Sequence, residues 1–373
     1  MNITAIETEQ IRVPLNRVYK GSHYKMTHRS TILTRIYTDK GMFGEAYAGD
    51  EDAGLAQIDK IIHEEIAPKI FGEDATAIER CWQLARPATW DILRDRRLGL
   101  VATACVDLTL WDLFARSLDV PLWKLWGGYR NEVPVISIGG YYNSGISIKE
   151  EVELLLEQEF AGMKLKVGGL TPQEDAVRFR EARRHGGDNF RIAADANQGY
   201  TLADAIKFAH LVRDDNLLWF EEPCQWQNDK RAMRDVRYVG GVPVCAGQTE
   251  FSAAACRDLM EVGAIDFCNF DSSWSGGPTE WRRAAVTASL YDVRMAHHEE
   301  PQASSHLLAS IPHGTYLEFF HEERDPIWHK MIANRPKLKG GYFKFNDAPG
   351  LGWELERDYI AKYRINSRRS ERA

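Results

Sequence analysis

Two rhythms of apolar and polar positions divide the chain. Through about residue 50 the two kinds alternate with period two, as in MNITAIETEQIRVPL, and the alternation breaks at Asp39-Lys40-Gly41. That pattern predicts antiparallel strands joined by a tight turn. Residues 55–70 and 97–118 change to a helical period. The second segment, RLGLVATACVDLTLWDLFARSL, is apolar on most sides, so it predicts a helix buried over much of its surface. From about residue 133 a third pattern sets in. Eight short apolar or β-branched runs recur, each closing on polar residues: VPVISIGG, GMKLKVGG, FRIAADAN, LLWFEEP, PVCAGQTE, IDFCNFD, VRMAHHEE and TYLEFFHEE. Helical segments lie between most of them. One opens with Thr171-Pro172-Gln173-Glu174, a capping box with proline at the first helical position. Eight strands alternating with helices predict a (β/α)8 barrel. The last ten residues, RINSRRSERA, are polar and basic and read as a frayed end.

The polar residues at the strand ends are regularly spaced. Lys166 to Asp195 is 29 residues, Asp195 to Glu221 is 26, and Glu221 to Gln248 is 27. Gln248 to Asp271 is 23, Asp271 to His298 is 27, and His298 to Glu318 is 20. Each interval is about one β/α unit, because a parallel crossover cannot be short. These side chains therefore gather at the C-terminal ends of successive strands, the catalytic face of a barrel. Solvated loop starts would explain some of them. They would not explain two lysines within a strand, or acids directly after Trp219-Phe220.

In Met163-Lys164-Leu165-Lys166-Val167 the two lysines share one strand face. If Leu165 and Val167 meet the surrounding helices, both ammonium groups point into the barrel. Mutual repulsion and burial would then lower their pKa toward the range of a general base. Asp195 and Glu221 end the next two strands. Either alone would serve as a helix N-cap, but carboxylates on adjacent strand ends suit a hard divalent cation, Mg²⁺ above all. Asp271 and a histidine at the following strand end form a carboxylate–imidazole pair, which fixes the tautomer and raises basicity. Pattern alone leaves His297 and His298 both open. Glu318 lies in an apolar strand, a costly position unless the acid is paired or used; if protonated it could donate a hydrogen bond to a developing enolate oxygen.

Composition narrows the class. The chain has 373 residues and a formal charge of −7, which argues against nucleic acid as a partner. At roughly 150 residues per domain, the length suggests two or three domains. No apolar run is expected to span a membrane, and the start has no signal-peptide pattern. The six cysteines form no CxxC pair and read as reduced core thiols of a cytoplasmic protein.

Together these residues resemble the mandelate racemase subgroup of the enolase superfamily. The resemblance rests on the paired-lysine strand, Asp195 with Asn197, Glu221-Glu222-Pro223, and the helix Cys105–Asp112 followed by Pro121-Leu122 and Gly127-Gly128. It implies an α+β capping domain at 1–125, a TIM-type barrel at 130–335 and a C-terminal segment, 336–373, returning to the cap through Pro349-Gly350-Leu351-Gly352. It implies that Lys166 and His298 are acid/base groups on opposite faces of the substrate, with Asp271 orienting His298. Lys164 and Glu318 would hold the substrate carboxylate, and Asp195 and Glu221 would bind Mg²⁺. The subgroup has a third acidic ligand where this chain has Gln248; either the Gln248 amide oxygen or Glu250 fills that place.

The implied chemistry is proton abstraction α to a carboxylate. Residues 17–29 hold Arg17, Lys20, Lys25 and Arg29 with Tyr19, His23, Tyr24 and His28, and no acid. In the subgroup such a loop closes over the site, and a basic, hydroxyl-bearing loop suits a polyhydroxylated acid. Lys20, His23, Tyr24 and Lys25, with Asn197 and His297, are the expected substrate contacts. The expectation is a sugar-acid dehydratase giving a 2-keto-3-deoxy acid. Racemisation, epimerisation, lactone cycloisomerisation and a non-catalytic sugar-acid-binding barrel are the alternatives. The 11 tryptophans would suit the large interfaces of a homo-oligomer.

Overall fold

The computed structural model describes residues 1–49 and 52–372. Near the N-terminus, β1 (Ile3–Lys20), β2 (Lys25–Thr38) and β3 (Phe43–Ala48) form an antiparallel meander. The turn at Asp39–Gly41 joins β2 to β3 as expected. The basic segment 17–29 is not an irregular loop. β1 and β2 pair to Pro14–His28, break register over residues 15–18, and pair again at Tyr19–Met26 and Lys20–Lys25, where a tight turn closes with Gly21 N–H donating to Tyr24 O at 3.1 Å. The hairpin therefore reaches over the barrel mouth as a stiffened ribbon.

Helix Arg96–Ser117 packs on β2 and β3. Asp95 caps it by accepting from Arg97 N–H at 2.9 Å. By length and composition this helix could cross a membrane, contrary to the sequence expectation, but 89% of its apolar window is buried within the fold. Two buried acids on it stitch the molecule together. Asp107 accepts from Thr279 N–H (2.8 Å) and hydroxyl (2.7 Å), and Asp112 accepts from Glu45 N–H (2.9 Å) and Leu351 N–H (2.8 Å).

The eight apolar runs all become strands of one parallel sheet: β4 (Glu132–Gly139), β5 (Gly162–Lys166), β6 (Arg191–Asp195), β7 (Leu217–Glu221), β8 (Val244–Ala246), β9 (Phe267–Cys268), β10 (Arg294–Met295) and β11 (Leu317–Phe320). The order is β10-β9-β8-β7-β6-β5-β4-β11. The curl meets itself where Met295 N–H donates to His313 O at 2.9 Å and Thr315 N–H donates to Met295 O at 2.8 Å. Strand β12 (Tyr342–Lys344) adds antiparallel to β4. The Thr171 capping box is present, and Ser147 with Glu150 forms a second one.

Alternation along the strands sorts the side chains. Met163, Leu165 and Val167 join the main core, while Lys164 and Lys166 face inward. Ile136, Ala193, Trp219, Cys245 and Phe267 form a separate apolar layer. Asp195 and Glu221 lie two residues beyond Ala193 and Trp219, so the polar site sits directly on this floor. All six cysteines are buried and unpaired.

The C-terminal end overturns an expectation. Arg364–Glu371 is strand β13, antiparallel to β1 on the outer edge of the first sheet, and not a frayed tail. Arg364 pairs with Glu9 (2.8 Å), Arg369 with Glu7 (3.2 Å) and Arg368 with Glu64 (3.2 Å). The strand is polar because it packs little; its order comes from the open β1 edge and the acids on it.

Candidate active site

The ends of β5, β6, β7 and β11 converge on a cluster of buried charges. Lys164 Nζ lies 2.7 Å from Glu221 Oε1, 2.6 Å from Glu318 Oε1 and 3.8 Å from Asp195 Oδ2. Lys166 Nζ donates to Asp195 Oδ2 at 2.6 Å and to Asn197 Oδ1 at 3.0 Å. The β6–β7 register sets Asp195 beside Glu221, and both are fully buried. Trp219 Nε1–H donates to the other Glu221 oxygen at 3.0 Å, anchoring it from the floor.

The lysine expectation needs correction. Burial does disfavour the ammonium at Lys164, but Glu221, Glu318 and Asp195 outweigh it and raise the pKa well above the usual lysine value. At Lys166 burial is likewise opposed and outweighed by Asp195, again raising the pKa. The carboxylates, not the lysine–lysine repulsion, dominate. Glu221 is strained in return. Burial lifts the Glu221 carboxyl to about 8; Lys164 opposes this, while Asp195 and Glu318 add to it.

That crowding is the observation that a divalent cation fits. Asp195 and Glu221 are hard oxygen donors on neighbouring strand ends, held so close that they compete for lysine charge. Among the described residues no three His, Cys, Asp or Glu side chains form a metal cluster. Two carboxylates and an amide would not make one. Gln248 lines the cavity that Lys166 and His298 share, whereas Glu250 lines a small neighbouring one with Cys224, Asp229 and Met233. The Gln248 amide is engaged: its oxygen accepts from Asn269 at 3.2 Å and its nitrogen donates to Glu222 at 3.3 Å. Glu222 also accepts from the Thr249 hydroxyl at 2.9 Å, and burial pushes its carboxyl up to about 7.

Across the mouth, His298 Nδ1 faces Asp271 Oδ2 at 2.8 Å, the expected dyad. Asp271 is fixed in turn by Ser273, whose N–H and hydroxyl donate at 2.7 and 2.8 Å. The Trp274 ring packs against His298 at a tilt of 47°, with centroids 4.9 Å apart. His297 is not a substrate contact. It is fully buried, its Nε2 accepts from Ser272 N–H at 3.0 Å, and its Nδ1 donates to His298 O at 2.8 Å. Burial lowers its pKa, so it is a neutral structural imidazole.

Lys166 and His298 line one cavity of about 510 Å³, together with Tyr24, Lys25, Asn197 and Gln248. Lys20 and His23 are exposed and lie outside this lining. Two of the four cations of segment 17–29 are already paired: Arg17 with Glu323 (3.4 Å), and Arg29 with Glu299 (2.8 Å), Glu300 (3.1 Å) and Asp325 (3.5 Å). Sequence reasoning missed Glu299, Trp274, Arg97, Met26 and Arg324, which also line the cavity. Glu299 had a signal, since it follows His298 at a strand end; Arg97 and Arg324 come from distant segments and had none.

The Enolase C-terminal domain-like family model matches residues 147–359, and that of the Mandelate racemase / muconate lactonizing enzyme, N-terminal domain matches residues 5–127. The chain belongs to the mandelate racemase subgroup of the enolase superfamily. Among solved structures it is similar to a mandelate racemase/muconate lactonizing enzyme at 60% identity, with a TM-score of 0.97 over 98% of this chain and 100% of that one. A second, from a marine actinobacterium and in complex with magnesium, is 58% identical with a TM-score of 0.94, over 98% and 99% of the two chains. Curated relatives divide by reaction. The 3,6-anhydro-alpha-L-galactonate cycloisomerase of Streptomyces coelicolor is 28% identical over 97% of this chain and 99% of its own. The arabinonate dehydratase of Saccharolobus solfataricus is 26% identical over 90% and 91%. Magnesium is the metal of this superfamily, and Asp195 and Glu221 provide donors suited to it.

Proposed function

We propose that this enzyme dehydrates a sugar acid to a 2-keto-3-deoxy acid. The observation that carries the reading is that Lys166 and His298 open into one polar cavity, with the Lys164–Glu318 pair beneath Lys166. A base and an acid on separate walls allow an α-proton and a β-hydroxyl to leave in one site. Tyr24, Lys25, Asn197, Gln198 and Thr249 add hydrogen-bonding groups suited to further hydroxyls.

In this reading Asp195, Glu221 and the Gln248 amide oxygen would hold Mg²⁺. When bound, the ion supplies positive charge beside the substrate carboxylate, where the negative charge of an enediolate accumulates. Lys164 and Glu318 position that carboxylate. Asp195 holds the Lys166 ammonium here; were it to ligate the ion, that hold would weaken and the proton affinity of Lys166 would fall toward that of a base. Lys166 then takes the α-proton, and His298, held by Asp271, gives its proton to the departing hydroxyl.

The curated dehydratases among the relatives support this reading, and the cycloisomerases keep a second one in view: lactone opening by the same acid and base. A screen of aldonic and aldaric acids and their lactones with Mg²⁺, scored for 2-keto product, separates them. Lactone consumption without 2-keto product, or no product from any acid, would refute dehydration.

A further inference from the structure

Glu299, a largely buried carboxylate of the cavity, has no task in the roles given so far. Glu299 is held at three points. Its backbone N–H donates to Glu318 Oε2 at 3.1 Å, Arg29 Nη1 of the capping hairpin donates to its Oε2 at 2.8 Å, and its Oε1 faces His298 Nε2 at 3.3 Å. Its backbone is left-handed, with φ +50°, as is that of Glu300 at +51°. Non-glycine residues adopt this conformation when surrounding contacts enforce it, and such positions cluster at functional sites.

The consequence lies in the hydrogens of His298. Both ring nitrogens face carboxylate oxygens, Asp271 on Nδ1 and Glu299 on Nε2. Ionised carboxylates only accept hydrogen bonds, so a neutral imidazole would turn a lone pair toward one of them. Only the doubly protonated ring satisfies both. We propose that Glu299 is a positioning residue that keeps a proton on Nε2 of His298, so that the resting site presents His298 as an acid and not a base.

The other groups facing this ring do not reverse the preference. Glu222 adds negative charge from the β7 end, His297 is neutral and engaged below, and the Trp274 face lies alongside. Burial disfavours the Glu299 charge, but His298 and then Arg29 and Arg324 outweigh it and hold its carboxyl well below the usual carboxylate range. Burial opposes the imidazolium, but Glu299 and then Asp271 outweigh it, and the His298 pKa stands well above the ordinary value.

The protonation state stands independently of the dehydratase reading; its use in the reaction rests on that reading. There the Nε2–H proton passes to the β-hydroxyl oxygen as the C–O bond breaks and its electron pair leaves with water. The C–H pair released at the α-carbon becomes the new double bond, and Lys166 keeps the α-proton. Glu299 ends the step unchanged.

The test is a nitrogen-15 titration of histidine-labelled, Mg²⁺-loaded protein, with His298 assigned by its disappearance in His298→Asn. Both ring nitrogens of His298 are expected in the protonated range up to about pH 8, beyond the ordinary histidine midpoint. Glu299→Gln is expected to lower the midpoint by about one unit or more. In turnover with an identified substrate, the alkaline limb of kcat moves down by the same amount. A His298 that is neutral near pH 7 in the unmutated protein, or a midpoint unchanged in a folded Glu299→Gln, overturns the proposal. If Glu299→Gln fails to fold, the spectrum of the unmutated protein alone decides.

Discussion

Acid should weaken this protein through His306, a residue far from the chemistry. It sits in helix Pro301–Ser310, where Nδ1 accepts from Trp123 N–H at 3.2 Å and Nε2 donates to Leu351 O at 3.1 Å. It thus ties the barrel to the chain entering it and to the segment returning from it. Burial lowers its pKa to about 3, against an ordinary 6.5. Because the folded pKa is depressed, the unfolded chain takes a proton below pH 6.5 while the folded ring stays neutral. The stabilisation is complete above 6.5 and is lost as pH falls toward the folded value. At about 1.4 kcal/mol per unit, the loss between pH 6.5 and 5 is about 2 kcal/mol. Urea unfolding of the native chain and of His306→Gln at both pH values isolates this contribution, since every other titrating group is common to the two. Glutamine keeps the donor toward Leu351 O, so the variant is weaker at neutral pH but loses about 2 kcal/mol less on acidification. Parallel pH dependences for the two proteins would mean that His306 is not held neutral, and the reasoning fails.

Arg29→Met should destabilise the fold by about 3–5 kcal/mol, because Glu299, Glu300 and Asp325 lose a buried cation; an unchanged urea midpoint would contradict this. Lys164→Met removes the ammonium shared by Glu221 and Glu318, so Mg²⁺ should raise its melting temperature more than it raises that of the native chain; equal shifts would count against a metal at Glu221. Asp271→Asn should lower turnover on the order of 100-fold or more while leaving the melting temperature with Mg²⁺ little changed, because it disturbs the imidazole and not the metal ligands. Deleting residues 364–373 should lower the melting temperature and promote further self-association by exposing the β1 edge; unchanged stability and an unchanged assembly state would show β13 to be dispensable.

The barrel was legible because each of its strands carries its own signal. Met163 to Val167 alternates in three dimensions as it does in one, and polar side chains at regular intervals mark a shared rim. Asp195, Glu221, Asp271 and His298 could be placed on that rim from spacing and resemblance, and all four are buried there. What spacing could not supply was the sign of an interaction. Lysine repulsion was visible in the strand, but the carboxylates that outweigh it come from 29 to 154 positions further along the chain. The choice between His297 and His298 likewise depends on a one-residue turn of the backbone, which hydropathy does not record. β13 escaped notice because its stability is borrowed from an edge at the other end of the chain.

That borrowed edge orders events in time. During synthesis β13 emerges after every barrel strand, so the first sheet stands three strands wide, with the outer edge of β1 open along Ala5–Ile11, until the barrel has been made. A nascent chain in that state offers a long pairing template to its neighbours on the same message. The fourth strand thus does more than complete a sheet. Its arrival covers the long β1 edge along which two unfinished copies could join.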